Sequence, residues 1–143
     1  MPITNNWIKV GALVAALAVV LGGLDWAQSI GLSHEQGPLN EAELRQRMLA
    51  AASISNAVTF QFAHALAIIL VGTLAVIRPG KLWSVTGSCF LAGIILYSGS
   101  IYLSVFFDDL YLDYLKLAGV ITLVLAWFLL LETACPGWNK RST

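Results

Sequence analysis

The chain has 143 residues, of which 58% are hydrophobic and only 11% are charged, and its formal net charge is zero. A soluble domain is typically about 45–50% apolar and about 25% charged, so this chain has too few charges to cover a globule of its size. It also lacks the basic runs that are typical of nucleic-acid-binding proteins. Composition therefore predicts one integral membrane domain whose surface is solvated mostly by lipid.

Four long stretches with almost no charge divide the chain. Crossing about 30 Å of hydrocarbon takes about 20 helical residues, and only helices or closed barrels satisfy the backbone in lipid. The short alternating segments of a barrel are absent from the sequence. The pattern therefore predicts an all-α, integral membrane four-helix bundle. Its spans are expected at residues 7–28, 57–77, 82–107 and 113–131.

The first stretch has the lysine and the apolar run of a signal peptide. However, Leu24, Asp25 and Trp26 make a poor cleavage site, because cleavage sites prefer small residues. We therefore interpret this stretch as a retained first span.

The connection at residues 29–56 is the longest in the predicted topology. Asn40 is followed three residues later by Glu43, which is the pattern of a capping box at a helix start. Good helix formers follow, with Leu44 and Met48 at helical spacing. We predict an extra amphipathic helix in this first outer loop, which either continues into the second span or lies on the membrane surface.

Basic residues lie unevenly on the two sides of the predicted membrane. The side with both termini has five of them, Lys9, Arg78, Lys81, Lys140 and Arg141, and the other side has three, Arg45, Arg47 and Lys116. Since an excess of Lys and Arg marks the cytoplasmic side, we expect both termini in the cytoplasm. Charged residues of the outer loops are then candidate contacts for a partner: Asp108, Asp109, Glu41 and Arg45.

Six polar residues fall inside the predicted spans: Gln61, His64, Ser98, Ser100, Tyr102 and Thr122. At about 1.5 Å per helical residue, they lie at similar depth in the outer half of the membrane. One interpretation is a structural polar layer that joins the second, third and fourth helices by hydrogen bonds. The other is a ligand or proton site around His64, because ionisable groups within a span are often functional. A proton relay needs several titratable groups, which favours the structural layer.

The sequence indicates no metal site, cofactor or enzymatic centre. His34 and Glu35 are neighbours but have no further ligand at a useful spacing, and the two cysteines have neither CxxC nor zinc spacing. His64 could be an axial haem ligand, but the bulky Phe60 stands one turn before it, where a flat macrocycle needs a small residue. No nucleophile–base pair can be assembled either.

Two motifs resemble those of a known family. Residues 60–67 read Phe-Gln-Phe-Ala-His-Ala-Leu-Ala, which resembles a Gln-x-x-His-Ala-Leu-Ala signature. Residues 93–103 read Gly-Ile-Ile-Leu-Tyr-Ser-Gly-Ser-Ile-Tyr-Leu, which is similar to Gly-x-x-Leu-Phe-Ser-Gly-Ser-Leu-Tyr-Leu. Both belong to the domain-of-unknown-function 423 family of small bacterial inner-membrane proteins, which includes transmembrane protein 256. The resemblance covers about residues 9–131 and implies four spans, a bacterial inner-membrane location and no established activity.

The chain also departs from that family pattern. Family members usually carry a Gly-Ala-Phe-Gly-Ala-His run after the first span, whereas residues 22–28 read Gly-Gly-Leu-Asp-Trp-Ala-Gln here, without a histidine. A proline that is usual near the start of the fourth span is absent, and the first outer loop is longer. An added loop on a small membrane protein suggests an added contact.

Two functional hypotheses follow from these observations. We expect a non-enzymatic membrane protein that serves as an accessory or scaffold subunit of a larger complex, with the lipid bilayer and other membrane subunits as its partners. Its small size, its lack of catalytic groups and its small-residue helix faces favour this hypothesis. The alternative is a small transporter, or a protein that binds lipid or a small molecule, through Gln61 and His64. It requires an oligomer, because one four-helix unit is small for alternating access.

Overall fold

The computed structural model describes residues 3–34, 40–107 and 110–135, with the side chains of the first range described from residue 6 to residue 25. The helices are α1 (Ile3–His34), α2 (Glu41–Ile77), α3 (Leu82–Leu103) and α4 (Leu110–Ala134). The described ranges contain no strand. Each helix contains a stretch long and apolar enough to cross a membrane. The predicted all-α class and the four apolar helices are therefore confirmed, and four such helices indicate a multi-pass membrane protein.

The start of α2 follows the predicted capping box. The Asn40 side-chain oxygen accepts a hydrogen bond from the Glu43 backbone N–H at 2.8 Å, and the Glu43 carboxylate accepts one from the Asn40 N–H at 3.4 Å. These bonds satisfy two donors that a helix start otherwise leaves free. The helix ends before Pro79 and Gly80, where the Arg78 N–H bonds to the Leu74 carbonyl.

The connection expected at residues 29–56 is mostly helical. α1 continues to His34, and α2 begins at Glu41, directly after the predicted cap, and runs into the second apolar stretch, which is one of the two predicted arrangements. The extra amphipathic helix is not a separate element of the described chain, because its residues form the first turns of the 37-residue α2. Between residues 41 and 71 the sequence contains neither glycine nor proline, so nothing interrupts the helix before its apolar part.

The connection between α3 and α4 also differs from the prediction. The third span was expected to reach residue 107, but α3 ends at Leu103, and the backbone then turns with a bond from the Phe106 N–H to the Leu103 carbonyl at 2.9 Å. The fourth span was expected from residue 113, but α4 begins at Leu110. Residues 104–107 carry no charge, so hydropathy alone does not reveal where the helix ends.

The four helices pack as two hairpins lying side by side. α1 packs along α2, α4 packs along α3, and α2 meets α3, whereas α1 touches α3 at few positions. Within the apolar windows, 44% of the residues of α2 and of α3 are buried, against 11% for α1 and 22% for α4. The central pair α2–α3 therefore forms the interior, and α1 and α4 present most of their surface to the surroundings.

Close approach within each hairpin depends on glycine. A Cβ on Gly72 would lie 2.8 Å from the backbone nitrogen of Ile8, and a Cβ on Gly119 would lie 2.5 Å from that of Tyr97. Small residues allow such contact between helix backbones, which is a main source of packing energy in lipid. Between the hairpins, the core includes Ile68 and Phe90.

The turn between α2 and α3 is tied to the end of α4. The indole N–H of Trp83 donates to the Arg78 carbonyl at 2.6 Å. The Arg78 guanidinium in turn donates to the Ala134 carbonyl at 3.4 Å. These bonds place the ends of α2 and α4 and the start of α3 at one level, which identifies a common end of the bundle.

Candidate functional site

Gln61 connects three helices. Its side chain is buried in α2, where its amide nitrogen donates to the Val14 carbonyl of α1 at 3.1 Å. Its amide oxygen accepts the Tyr102 hydroxyl of α3 at 2.9 Å. Each polar atom of the amide therefore has a partner on another helix, which stabilises this packing in an apolar environment.

The serines and the threonine of the predicted layer divide into two groups. Ser98 is buried and donates to the Ala57 carbonyl at 3.1 Å, which joins α3 to α2. Ser100 bonds to the Tyr97 carbonyl of its own helix, and Thr122 bonds to a carbonyl of its own helix, α4. Within the described part of the chain, the interhelical bonds of these polar residues thus join α1, α2 and α3, whereas the predicted layer joins the second, third and fourth helices. The partner on α1 is the backbone carbonyl of Val14. No sequence pattern indicates which backbone carbonyl a side chain on another helix will contact.

His64 lies among aromatic rings and bonds within its own helix. Its Nδ1 is 2.7 Å from the Phe60 carbonyl oxygen. Its ring is stacked on Phe60 at a centroid distance of 5.7 Å, with Phe90 at 6.0 Å and Trp127 at 6.1 Å. The side chain is only 8% exposed. The structure therefore separates His64 from the Gln61–Tyr102 bond and surrounds it with rings from three helices.

A groove lies on the surface of the bundle, away from Gln61 and His64. It has a volume of about 380 Å³ and runs between α3 and α4, lined by Ser84, Val85, Ser88, Cys89, Ala92 and Thr122. Among the described residues, no group of three or more His, Cys, Asp or Glu side chains is placed to hold a metal ion. The groove is shallow, and of the six polar residues only Thr122 is in its lining, whereas Gln61 and His64 are not.

The candidate partner contacts are only partly described. Glu41 and Arg45 are exposed in the first turns of α2. Asp108 and Asp109 lie outside the described residues, as does the Glu35 considered with His34 for metal binding. Next to the charged pair in α2, Leu44 and Met48 expose 50% and 65% of their surface. The helical spacing of these two side chains is visible in the sequence, but their exposure is not.

A comparison with known protein families identifies the family to which this chain belongs. The family model described as a protein of unknown function, DUF423, matches residues 34–124, which is more than half of the chain. The chain belongs to the DUF423 family. No curated protein and no solved structure matches it.

The DUF423 match covers α2, α3 and the first part of α4. The sequence resemblance was expected over about residues 9–131, so most of α1 lies outside the matched range. The matched part includes Gln61, His64 and the residues around them. The family description names no activity.

Proposed function

We propose that this DUF423 protein is a non-enzymatic accessory or scaffold subunit of a larger membrane protein complex. The observation that supports this proposal is the length of α2. Its 37 residues extend over about 55 Å, whereas about 20 residues cross the hydrocarbon. Because α2 and α3 share a short turn at one end of the bundle, the surplus length of α2 lies at its N-terminal end and projects from the membrane.

The projecting part of α2 carries an uncovered apolar face. Leu44 and Met48 are one turn apart, so they lie on the same side of the helix, and both are at least half exposed. Apolar groups clustered on a segment outside the hydrocarbon favour contact with another protein. Glu41 and Arg45 beside them supply charges that orient a partner. We propose that these residues at the start of α2 form the surface that contacts the partner.

The interhelical hydrogen bonds favour the role of an accessory subunit over the alternative of a small transporter. Gln61 and Tyr102 bond to each other, and Ser98 bonds to the α2 backbone. A transport path needs polar groups that are free to contact a substrate, whereas these groups are occupied in holding helices together.

Replacing Met48 by glutamate is expected to remove the partner. A carboxylate cannot be buried in an apolar contact without losing its hydration, so we expect partner occupancy to fall by about tenfold or more. The measurement is native mass spectrometry after purification in gentle detergent through a C-terminal tag. The matched control is Gln46→Glu, an exposed position on the opposite side of the helix, for which the complex should be retained.

Two results would contradict this proposal. Wild-type protein recovered only as a monomer or a homo-oligomer would exclude a stable accessory role. An equal loss of the partner in the Met48 and Gln46 variants would show that the apolar side of α2 is not the contact surface.

We further propose a location in the bacterial inner membrane with both termini in the cytoplasm. The positive-inside distribution of Lys and Arg supports this orientation. Cys135 directly follows α4 and is exposed, and Cys89 is the only other cysteine. In a Cys89→Ala variant, an impermeant maleimide should therefore label Cys135 only after spheroplasts are lysed.

The control for this experiment is a cysteine at the other end of the bundle. Gln46→Cys in a chain without native cysteines should react in intact spheroplasts, because the start of α2 projects on the outer side. Labelling of Cys135 in intact cells, with position 46 protected until lysis, would reverse the orientation.

A further inference from the structure

His64 lies at a depth where its polar nitrogen atoms meet hydrocarbon. It is 13 residues before the end of α2 at Ile77, which corresponds to about 20 Å along the helix axis. The hydrocarbon layer is about 30 Å thick, so the imidazole is well inside it. Water is not available there to satisfy a polar atom.

The two ring nitrogens of His64 are not equivalent. Nδ1 is 2.7 Å from the Phe60 carbonyl oxygen, and because a carbonyl only accepts hydrogen bonds, Nδ1 carries the hydrogen. In the neutral ring, Nε2 then has no hydrogen and acts only as an acceptor. No described residue donates a hydrogen bond to it.

Nε2 also reaches the surface of the protein. Within the described part of the chain, no buried side-chain nitrogen or oxygen lacks a hydrogen-bond partner. An Nε2 without a partner is therefore not enclosed, and it opens through the 8% of the side chain that is exposed. Two half-exposed rings stand beside the imidazole: Phe60 of α2 and Trp127 of α4 are 43% and 47% exposed, and their ring centroids lie 5.7 Å and 6.1 Å from that of His64.

We propose that Phe60, His64 and Trp127 form a notch that binds a membrane-soluble ligand that carries a phenolic hydroxyl. The hydroxyl donates a hydrogen bond to Nε2, and the flat ring of the ligand packs against the rings of Phe60 and Trp127. A phospholipid is less suitable, because its polar headgroup stays at the membrane surface while Nε2 lies deep in the hydrocarbon. The site is independent of whether the protein is a subunit of a complex.

The test compares two probes on the full-length protein in phosphatidylcholine nanodiscs. Nonylphenol can donate a hydrogen bond, and its methyl ether, nonylanisole, has nearly the same shape but no donor. Nitrogen NMR of labelled histidine, with His34→Gln leaving only one histidine, reports on Nε2 directly. We expect nonylphenol to shift the Nε2 resonance saturably, and nonylanisole to leave it unmoved and to bind about tenfold more weakly.

Two variants test the hydrogen-bond acceptor and one of the aromatic rings of the notch separately. His64→Phe keeps a ring but removes the acceptor, so it should bind the two probes equally. Trp127→Leu changes an exposed side chain and should weaken nonylphenol binding while the Nδ1 resonance stays in place. Equal binding of both probes to the His64 protein would overturn the proposal. So would a probe-free Nε2 resonance that is already hydrogen-bonded and that nonylphenol does not move.

Discussion

Replacing Gly119 by alanine is expected to separate α3 from α4 and to destabilise the protein strongly. The added Cβ would lie 2.5 Å from the backbone nitrogen of Tyr97 and 2.8 Å from its Cα. These are backbone atoms, which cannot rotate away as the end of a side chain can, so the helices must move apart. Overpacking of this kind typically costs about 1–3 kcal/mol, and we expect the upper part of that range. The measurement is SDS-driven unfolding in mixed micelles, followed by tryptophan fluorescence.

The matched control for this substitution is Gly99→Ala in α3. Apart from the neighbouring backbone of α3 itself, no atom of the described residues lies within 4 Å of a Cβ built at Gly99, so the same chemical change meets open space. Since alanine is the better helix former by about 1 kcal/mol, the variant should be as stable as the wild type or slightly more stable. Similar losses at both glycines would contradict the close α3–α4 contact.

Replacing Gln61 by methionine is expected to loosen the contacts that α2 makes with α1 and α3. The change keeps an unbranched side chain of similar size but removes the donor to the Val14 carbonyl and the acceptor of the Tyr102 hydroxyl. Interhelical hydrogen bonds in membrane proteins contribute about 0.6 kcal/mol on average and up to about 1.7 kcal/mol. With two such bonds lost, we expect the free energy of unfolding to fall by about 1–3 kcal/mol, measured in the same micelle titration.

A double-mutant cycle with Tyr102→Phe tests whether loss of the hydrogen bond between Tyr102 and Gln61 contributes to the loss of stability. If the hydroxyl bonds to Gln61, the two substitutions should be less than additive, with a coupling energy of about 0.5–1.5 kcal/mol. Ser100→Ala is the control, because the Ser100 hydroxyl bonds only to the carbonyl of Tyr97 on its own helix. Full additivity of the Gln61 and Tyr102 effects would show that the hydrogen bond does not contribute to stability.

Some features of the fold could be predicted because they depend on local chemistry. Low charge and long apolar stretches are typical of a chain that enters a membrane, the thickness of the hydrocarbon sets the length that each helix needs, and the number of apolar stretches sets the number of helices. Asn40 and Glu43 specify where α2 begins, because a capping box acts over three residues. The end of α3 could not be predicted in this way, since residues 104–107 are as free of charge as the helix before them.

The sequence by itself determined the membrane environment, the all-α class, the four helices and the polar residues within them, because each follows from composition or from spacing along one helix. Only the tertiary structure decided that Gln61 bonds to the Val14 carbonyl and that Trp127 stands beside His64. It also decided that the start of α2 stays uncovered. Contacts between helices depend on how the helices rotate and approach each other, and a backbone carbonyl or an aromatic neighbour on another helix has no local signal in the sequence.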